Sequence, residues 1–186
     1  MRNKINLICN DKINDIGEDY YSLSKNWYLN AVEDDFHQLK NNLRTFYRNR
    51  CPYSSAANDL YTVFKGFETR VSSGGYSAKR CFLPFNTRAT NQFADRNNIA
   101  FMINRFMSPV ENRFFKRFNV EVSEDNLALN DMIQFVWRSA VRNGKPINLY
   151  IPSKRMRDLF IQWFDSVNET PIDTCGEIKK YYYQGV

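Results

Sequence analysis

Apolar residues recur along the chain with two different spacings. Spacings of three and four residues, typical of amphipathic helices, occupy residues 33–50 and 126–142 and return after Ser153. Between them lie short apolar runs of strand length, at residues 5–9, 81–85, 99–103 and 147–151. Helices that alternate with buried strands predict an α/β fold with a mostly parallel sheet flanked by helices. The run at 99–103 also fits the end of a helix that begins near Ala89, since its spacing alone does not decide.

The first 75 residues are predicted to add helices to an amino-terminal strand. The clearest helix covers residues 33–50, with acidic residues in its first turn and basic residues in its last, as the helix dipole favours. A second helix is expected over residues 54–67, capped by Ser54 or Ser55. We therefore divide the chain into three parts: this strand and helical elaboration (1–75), a core (76–167) and a tail (168–186).

Composition and charge narrow the class of partner. A chain of 186 residues fits one domain, and its net charge of +6 favours an acidic partner, of which DNA or RNA is the usual one. The single His37 and four widely spaced cysteines do not match a zinc site, so we expect no metal and a reduced, cytoplasmic setting. No apolar run approaches the ~20 residues of a membrane span.

Three polar residues follow one another along the second long helix. At about 100° per residue, Gln134, Arg138 and Arg142 fall on one stripe, nearly opposite the apolar stripe of that helix. Guanidinium groups stay charged and match phosphate oxygens in a two-pronged geometry. The stripe therefore predicts a polyphosphate-binding face, although a solvated surface stripe has the same pattern.

A polar loop follows the apolar run at 81–85. Four of its side chains can bond to phosphate or sugar oxygens: Thr87, Arg88, Thr90 and Asn91. Asp95 is placed to accept from a hydroxyl or to orient Arg88. Because α/β proteins usually bind ligands at the carboxyl ends of their strands, we predict nucleic-acid contacts in this loop. The alternative is that Thr90 or Asn91 simply caps a helix.

Basic residues also open the last helix. Lys154, Arg155 and Arg157 lie in its first turn, where cations oppose the helix dipole. A bound phosphate would remove this conflict, so we predict that they contact nucleic acid; a solvated basic turn is the alternative. The mixture of basic residues and phenylalanines over 113–118 suits either a nucleic-acid groove or a core helix with solvated charges.

Together these segments resemble the second, C-terminal motor domain of superfamily 2 helicases of the DEAD/DEAH-like group. That family has a Thr-rich loop, an apolar strand ending near a proline, and a helix with glutamine and two arginines before a glycine turn and a strand. The matching segments here are residues 86–91, residues 99–109, the stripe of Gln134, Arg138 and Arg142, Asn143-Gly144 and residues 147–151. Residues 88–91, 137–139 and 151–157 also resemble helicase-like proteins of bacteriophages and mobile elements. The likeness extends from about Tyr21 to Phe164.

The resemblance implies a RecA-like core in which Arg138 and Arg142 are transition-state arginines and Gln134 holds phosphates or an interdomain contact. In the family, the polar loop contacts the nucleic-acid backbone, and ATP with magnesium binds only between two motor domains. This chain lacks the GxxxxGK[ST] phosphate loop of the first domain, so we expect no cofactor and no ATPase activity from it alone. Trp137 stands where the family usually has glycine, and the second arginine follows the first by four residues rather than three.

Two functions of different classes follow. The first is a helicase-type module that binds DNA or RNA and completes a separately supplied N-terminal helicase domain. Because the chain begins at Met1 and has the length of a whole domain, the second is a stand-alone phage protein that acts as a binding or decoy module on a host defence protein. A basic nucleic-acid-binding domain of unrelated fold is a third. We expect a cytoplasmic protein of a bacterium or a phage-infected host, without a membrane partner.

Overall fold

A four-stranded parallel sheet forms the centre of the molecule. The computed structural model describes residues 4–9, 11–73, 75–87 and 91–168. Its strands are β1 (Ile5–Ile8), β2 (Asp59–Thr62), β3 (Asn98–Phe101) and β4 (Ile147–Tyr150). They lie in the order β1-β4-β3-β2, and every neighbouring pair is parallel. The predicted α/β fold with a parallel sheet is therefore confirmed.

Helices cover both faces of this sheet. They are α1 (Lys25–Asn30), α2 (Glu33–Thr45), α3 (Glu68–Val71), α4 (Ala78–Cys81), α5 (Pro109–Arg117), α6 (Glu124–Val136) and α7 (Lys154–Asn168). One face packs against α1 and α2, and the other packs against α6 and α7. The predicted helix over 33–50 corresponds to α2, which continues as a wider π-helical turn over Phe46–Arg50.

Strand β3 illustrates why a strand that is buried on both faces has consecutive apolar residues. Ile99 and Phe101 point into the core with α6 and α7, whereas Ala100 and Met102 point into the core with α1 and α2. All four residues are fully buried, because successive side chains of a strand face opposite sides. The run at 99–103 is therefore a strand rather than the end of a helix.

The predicted second helix over 54–67 is wrong, because this segment contains strand β2. Its side chains also alternate, with Leu60 in the core of α6 and α7 and Tyr61 in the core of α1 and α2. The predicted strand over 81–85 is wrong as well. There α4 ends at Cys81, and only Phe82 joins the sheet, in an isolated parallel bridge to Tyr61.

The helix predicted over 126–142 ends early, at Val136. The hydroxyl of Ser139 donates to the carbonyl of Val136 at 2.6 Å, and the backbone N–H of Ala140 donates to the carbonyl of Arg96 at 2.8 Å. These two bonds take the groups that would have continued the helix. The chain then forms a short 3₁₀ turn over Ala140–Asn143 and leaves it through Gly144 in the left-handed region, at φ 69°.

The division of the chain at residues 75 and 167 stays a prediction, although β1 and β2 of the first segment pair with β3 and β4 of the second. In the described part of the chain, no three His, Cys, Asp or Glu side chains are grouped as a metal site requires. No helix among those residues has the length and apolar character needed to cross a bilayer. Cys51 and Cys81 are buried free thiols.

Candidate functional site

The carboxyl ends of the strands, where α/β proteins usually bind ligands, are occupied here by internal ion pairs. Arg157 is only 7% exposed and donates to the carbonyls of Ile151 and Pro152, both at 2.9 Å, and to Glu18 at 2.9 Å. Lys154 remains exposed and shares Glu18 at 3.4 Å. The charge of the buried Arg157 is therefore already matched by the carboxylate of Glu18, whose side chain is 47% exposed.

Arg155 is buried to the same extent and is also used internally. Its guanidinium donates to Asn104 Oδ1 at 3.0 Å, to the carbonyl of Arg105 at 2.8 Å and to the carboxylate of Asp125. Of the three cations predicted to contact nucleic acid at the start of the last helix, only Lys154 faces solvent. Arginine has a pKa too high to lose its charge on burial, so such a side chain requires nearby carboxylates.

Helix α5 carries the basic and aromatic residues of the segment 113–118. Within the described structure it buries none of its residues, and Phe114 and Phe118 are 57% and 60% exposed. Arg105, nearby in the sequence, is instead paired with Glu111 and Asp131. The phenylalanines are thus surface residues rather than core residues.

Arg138 and Arg142 lie against the polar loop that the sequence singles out. Arg138 donates to the carbonyl of Phe85 at 3.1 Å, and Arg142 donates to the side-chain oxygen of Asn91 at 2.8 Å. The structure thus joins two of the predicted site residues, Arg142 and Asn91, and bonds Arg138 to the residue directly before the loop, although the arginines follow the end of α6 instead of lying along it. Arg88 and Thr90 lie outside the described residues.

Further bonds dock the loop onto the turn that holds these arginines. Asn143 donates to the carbonyl of Ala94 at 3.2 Å, and Lys145 pairs with Asp95 at 3.2 Å. The bond from Ala140 to the carbonyl of Arg96 closes the base of the loop. Loop and turn thus form one surface, which leads into the amino end of β3 and so does not match the predicted loop at a strand's carboxyl end.

The other predicted site residues contribute less to this surface. Gln134 is exposed on α6, and in the part of the chain that the structure describes it makes no hydrogen bond to either arginine. Thr87 is half-buried, and its backbone N–H donates to the carbonyl of Pro84 at 3.0 Å. The predicted stripe of one glutamine and two arginines is therefore broken by the end of α6.

Four arginines at this surface lack a close ion pair with any described carboxylate, and Asp131 and Asp59 act on Arg138 and Arg96 only from a greater distance. We use the name arginine cluster for Arg80, Arg96, Arg138 and Arg142. Arg96 lies within 3.4 Å of the carbonyls of Asp59 and Arg80, and among the described residues no member of the cluster forms an ion pair. Burial lowers the pKa of Arg138, and the guanidinium nevertheless keeps its charge. A phosphate oxygen would supply the missing negative charge.

A row of polar side chains crosses the sheet, and it was not predicted from the sequence. Asn6, Asn148, Asn98 and Asp59 are register neighbours on the four strands. Their amides form a chain of hydrogen bonds of 2.8 to 3.0 Å. The sequence Ile-Asn-Leu occurs at the start of both β1 and β4, and this repeat could have indicated that their asparagines are neighbours. We call this row the asparagine ladder.

The ladder ends on Asp59, which is fully buried. Burial raises the pKa of this carboxyl, while hydrogen bonds from Asn98 and Ser54 act in the opposite direction. Because its folded-state pKa is raised, the stability that Asp59 contributes is complete below the unfolded-state pKa. That stability is lost as pH rises through the folded-state pKa.

Asp59→Asn is therefore expected to gain stability relative to the unmodified protein as pH rises from about 3 to about 7. Urea unfolding at several pH values measures this difference. Asp11→Asn is the matched control with the opposite sign, because the hydrogen bond from Arg50 lowers the pKa of Asp11. A stability difference for Asp59→Asn that is flat with pH, or that falls as pH rises, would contradict the prediction.

Comparison with known proteins identifies a family and a prophage-derived relative. The family described as the YonV C-terminal Rossmann-like domain matches residues 1–164. A similar protein is the SPbeta prophage-derived uncharacterized protein YonV of Bacillus subtilis (strain 168), which is 41% identical over 167 residues. That match covers 89% of this chain and 39% of the relative, so the chain spans well under half of the relative's length. No solved structure matches.

Proposed function

The chain belongs to the family of YonV C-terminal Rossmann-like domains, and from its resemblance in sequence motifs and the placement of Arg138 and Arg142 we propose that it is a helicase-type module. In this proposal it binds the backbone of DNA or RNA through Arg138 and Arg142. It also offers the same arginines to a nucleotide held by a second domain. That second domain lies on a separate polypeptide or in the additional length of larger relatives.

One observation carries the proposal. Arg138 and Arg142 are held by a backbone carbonyl and by the amide oxygen of Asn91, whereas the buried Arg155 and Arg157 are held by carboxylates. Neutral acceptors orient a guanidinium without cancelling its charge. Phosphate is the ligand that such oriented and uncompensated guanidinium groups recognise best.

The catalytic half of the proposal requires a partner. Arginines supplied across an interface can raise phosphoryl transfer rates about 10³- to 10⁵-fold, but only when the nucleotide is already bound elsewhere. This chain has no phosphate loop in its sequence. Gln134, exposed near the end of α6, would contact the phosphates or the facing domain.

A second candidate function is a stand-alone module that binds a host defence protein. Helix α5 favours it, because Val110, Phe114 and Phe118 leave an apolar stripe in solvent. Apolar surface of this kind is typical of protein interfaces. Exchanging Phe114 and Phe118 for serine would abolish this second function and leave nucleic-acid binding intact.

Nucleic-acid binding is tested with fluorescently labelled single-stranded DNA and RNA of one sequence. Fluorescence anisotropy is expected to show weak binding that falls steeply with added salt, because released counterions drive such contacts. Binding to neither oligonucleotide at low salt would overturn the proposal. The purified chain alone is also expected not to hydrolyse ATP. Turnover that Arg138→Ala abolishes would show that the chain completes an ATP site by itself.

A further inference from the structure

A cleft lies at the amino ends of the strands, beside the asparagine ladder. Its volume is about 380 Å³, and its polar lining includes Lys4, Asn6, Tyr53, Asn97, Asn98 and Asn148. Asparagine side chains carry both a hydrogen-bond donor and an acceptor. A surface rich in them therefore suits a ligand whose edge also carries donors and acceptors. The cleft is therefore matched to a planar polar ligand better than to a simple anion.

The hydrogen bonds of the ladder all run in one direction. The amide of Asn6 donates to Asn148 at 2.9 Å, Asn148 donates to Asn98 at 3.0 Å, and Asn98 donates to Asp59 at 2.8 Å. Each bond polarises the next. This series of hydrogen bonds therefore begins at Asn6. The side-chain oxygen of Asn6 is exposed and accepts no hydrogen bond from any described residue.

A second side-chain oxygen at the cleft also lacks a partner. The Oδ1 atom of Asn97 is buried and has no hydrogen-bond partner among the described residues. A buried acceptor that remains unpaired costs free energy, which a ligand N–H would recover. Asn6 and Asn97 together thus call for a ligand that presents N–H donors.

Tyr53 supplies an aromatic surface at the same cleft. It is 77% exposed, so its ring is not used in the core. Its backbone carbonyl accepts from the amide of Asn98 at 2.6 Å, which ties this residue to the ladder. An exposed aromatic ring beside amide groups is the arrangement with which proteins hold unpaired nucleobases.

The cleft and the arginine cluster are built on the same two segments. Asn97 directly follows Arg96, and the backbone N–H of Asn148 donates to the carbonyl of Asn97 at 2.7 Å. Lys145, which pairs with Asp95 of the loop, directly precedes the cleft residue Pro146. A strand of nucleic acid could therefore meet both surfaces at once.

We propose that this cleft is a nucleobase subsite for single-stranded nucleic acid. The base stacks on Tyr53, and an N–H of its edge donates to the side-chain oxygen of Asn97, while the oxygen of Asn6, two strands away on β1, is left for a neighbouring nucleotide. The amino group of adenine, cytosine or guanine has two N–H bonds, whereas uracil and thymine offer a single N–H, so amino-bearing bases are preferred. The proposal rests on the proposed function, because the arginine cluster would bind the phosphates of the same strand.

Free nucleosides test the subsite without phosphate. In an NMR titration of the full chain, adenosine, cytidine and guanosine are expected to shift the side-chain amide signals of Asn97, and uridine to shift them less. Ribose is the control and should leave these signals unchanged. The subsite is overturned if no nucleoside shifts them, or if ribose shifts them equally.

Oligonucleotides separate this proposal from the phosphate site. Tyr53→Ala is expected to weaken binding of a single-stranded oligonucleotide about 5- to 100-fold, the usual effect of losing one stacking ring. It should not change binding of an abasic oligonucleotide with the same number of phosphates. Tyr21→Ala, which removes another exposed tyrosine, is the matched control. Tyr53→Phe should bind as the unmodified protein does.

The two proposals fail in different ways. If Tyr53→Ala binds both oligonucleotides as the unmodified protein does, the nucleobase subsite is wrong, whatever Arg138→Ala does. If Arg138→Ala leaves both affinities unchanged while Tyr53→Ala weakens only the oligonucleotide with bases, the subsite stands and the phosphate site is wrong.

Discussion

Replacing Gly17 with alanine is expected to lower the free energy of unfolding by about 3 kcal/mol or more. A Cβ at this position would lie 2.0 Å from the carbonyl oxygen of Pro152, 2.4 Å from its carbon and 2.8 Å from the nitrogen of Ser153. All three atoms belong to the backbone between β4 and α7, so they cannot move away as a flexible side chain can. The same carbonyl of Pro152 accepts from Arg157, and its displacement would also weaken the pairing with Glu18.

Thermal unfolding followed by circular dichroism measures this effect. For a chain of this size, about 3 kcal/mol corresponds to a fall in Tm of roughly 6–12 °C. Gly75→Ala is the matched control, because no heavy atom lies within 4 Å of the Cβ that it adds. That variant should change stability by less than about 0.5 kcal/mol. Equal Tm values for the two variants would contradict the prediction, because they would show that the backbone of Pro152 does not exclude a Cβ at position 17.

Exchange of both Arg138 and Arg142 for alanine is expected to weaken binding of single-stranded nucleic acid about 100-fold at low salt. A hydrogen bond to a charged group contributes about 1.5–3 kcal/mol, so each lost arginine–phosphate contact costs at least about tenfold. The single variants should each show roughly half of this loss in free energy. Fluorescence anisotropy with the labelled oligonucleotide gives all three affinities.

Exchange of Lys25 and Arg44 for alanine is the control for this experiment. It removes the same charge from exposed positions of α1 and α2, which cover the face of the sheet opposite to α6, and neither residue forms an ion pair within the described structure. Because exposed charges far from the bound strand are largely screened at about 0.1 M salt, this control should stay within about threefold of the unmodified protein. Equal losses in both double variants would show that only net charge matters. Tm values confirm that each variant is folded.

The hydrophobic pattern predicts most of the fold, and it fails at β2. Strands β1, β3 and β4 are found as expected, because their residues are apolar apart from one asparagine in each. Strand β2 is as short as the other three, but it contains Asp59 and Thr62, and Leu60 and Phe64 have a helix-compatible spacing of four. Periodicity cannot separate a strand from a helix over so few residues.

The candidate site could be predicted only in part. The sequence singles out both the arginines and the polar loop, and the structure has Arg142 bonded to Asn91 of the loop and Arg138 bonded to Phe85 directly before it. The burial of Arg155 and Arg157 could not be predicted from local sequence. Their partners, Asp125 and Glu18, lie 30 and 139 residues away along the chain. The end of α6 likewise depends on a distant carbonyl, that of Arg96.

The dependence of binding on salt tests the central claim most directly, because it counts phosphate contacts. For single strands, log Kd changes with log salt concentration by about 0.7 for each phosphate neutralised. If Arg138 and Arg142 each contact one phosphate, the slope for their double alanine variant should be smaller than that of the unmodified protein by about 1.4. Equal slopes would contradict the assignment of these two arginines to the nucleic-acid backbone.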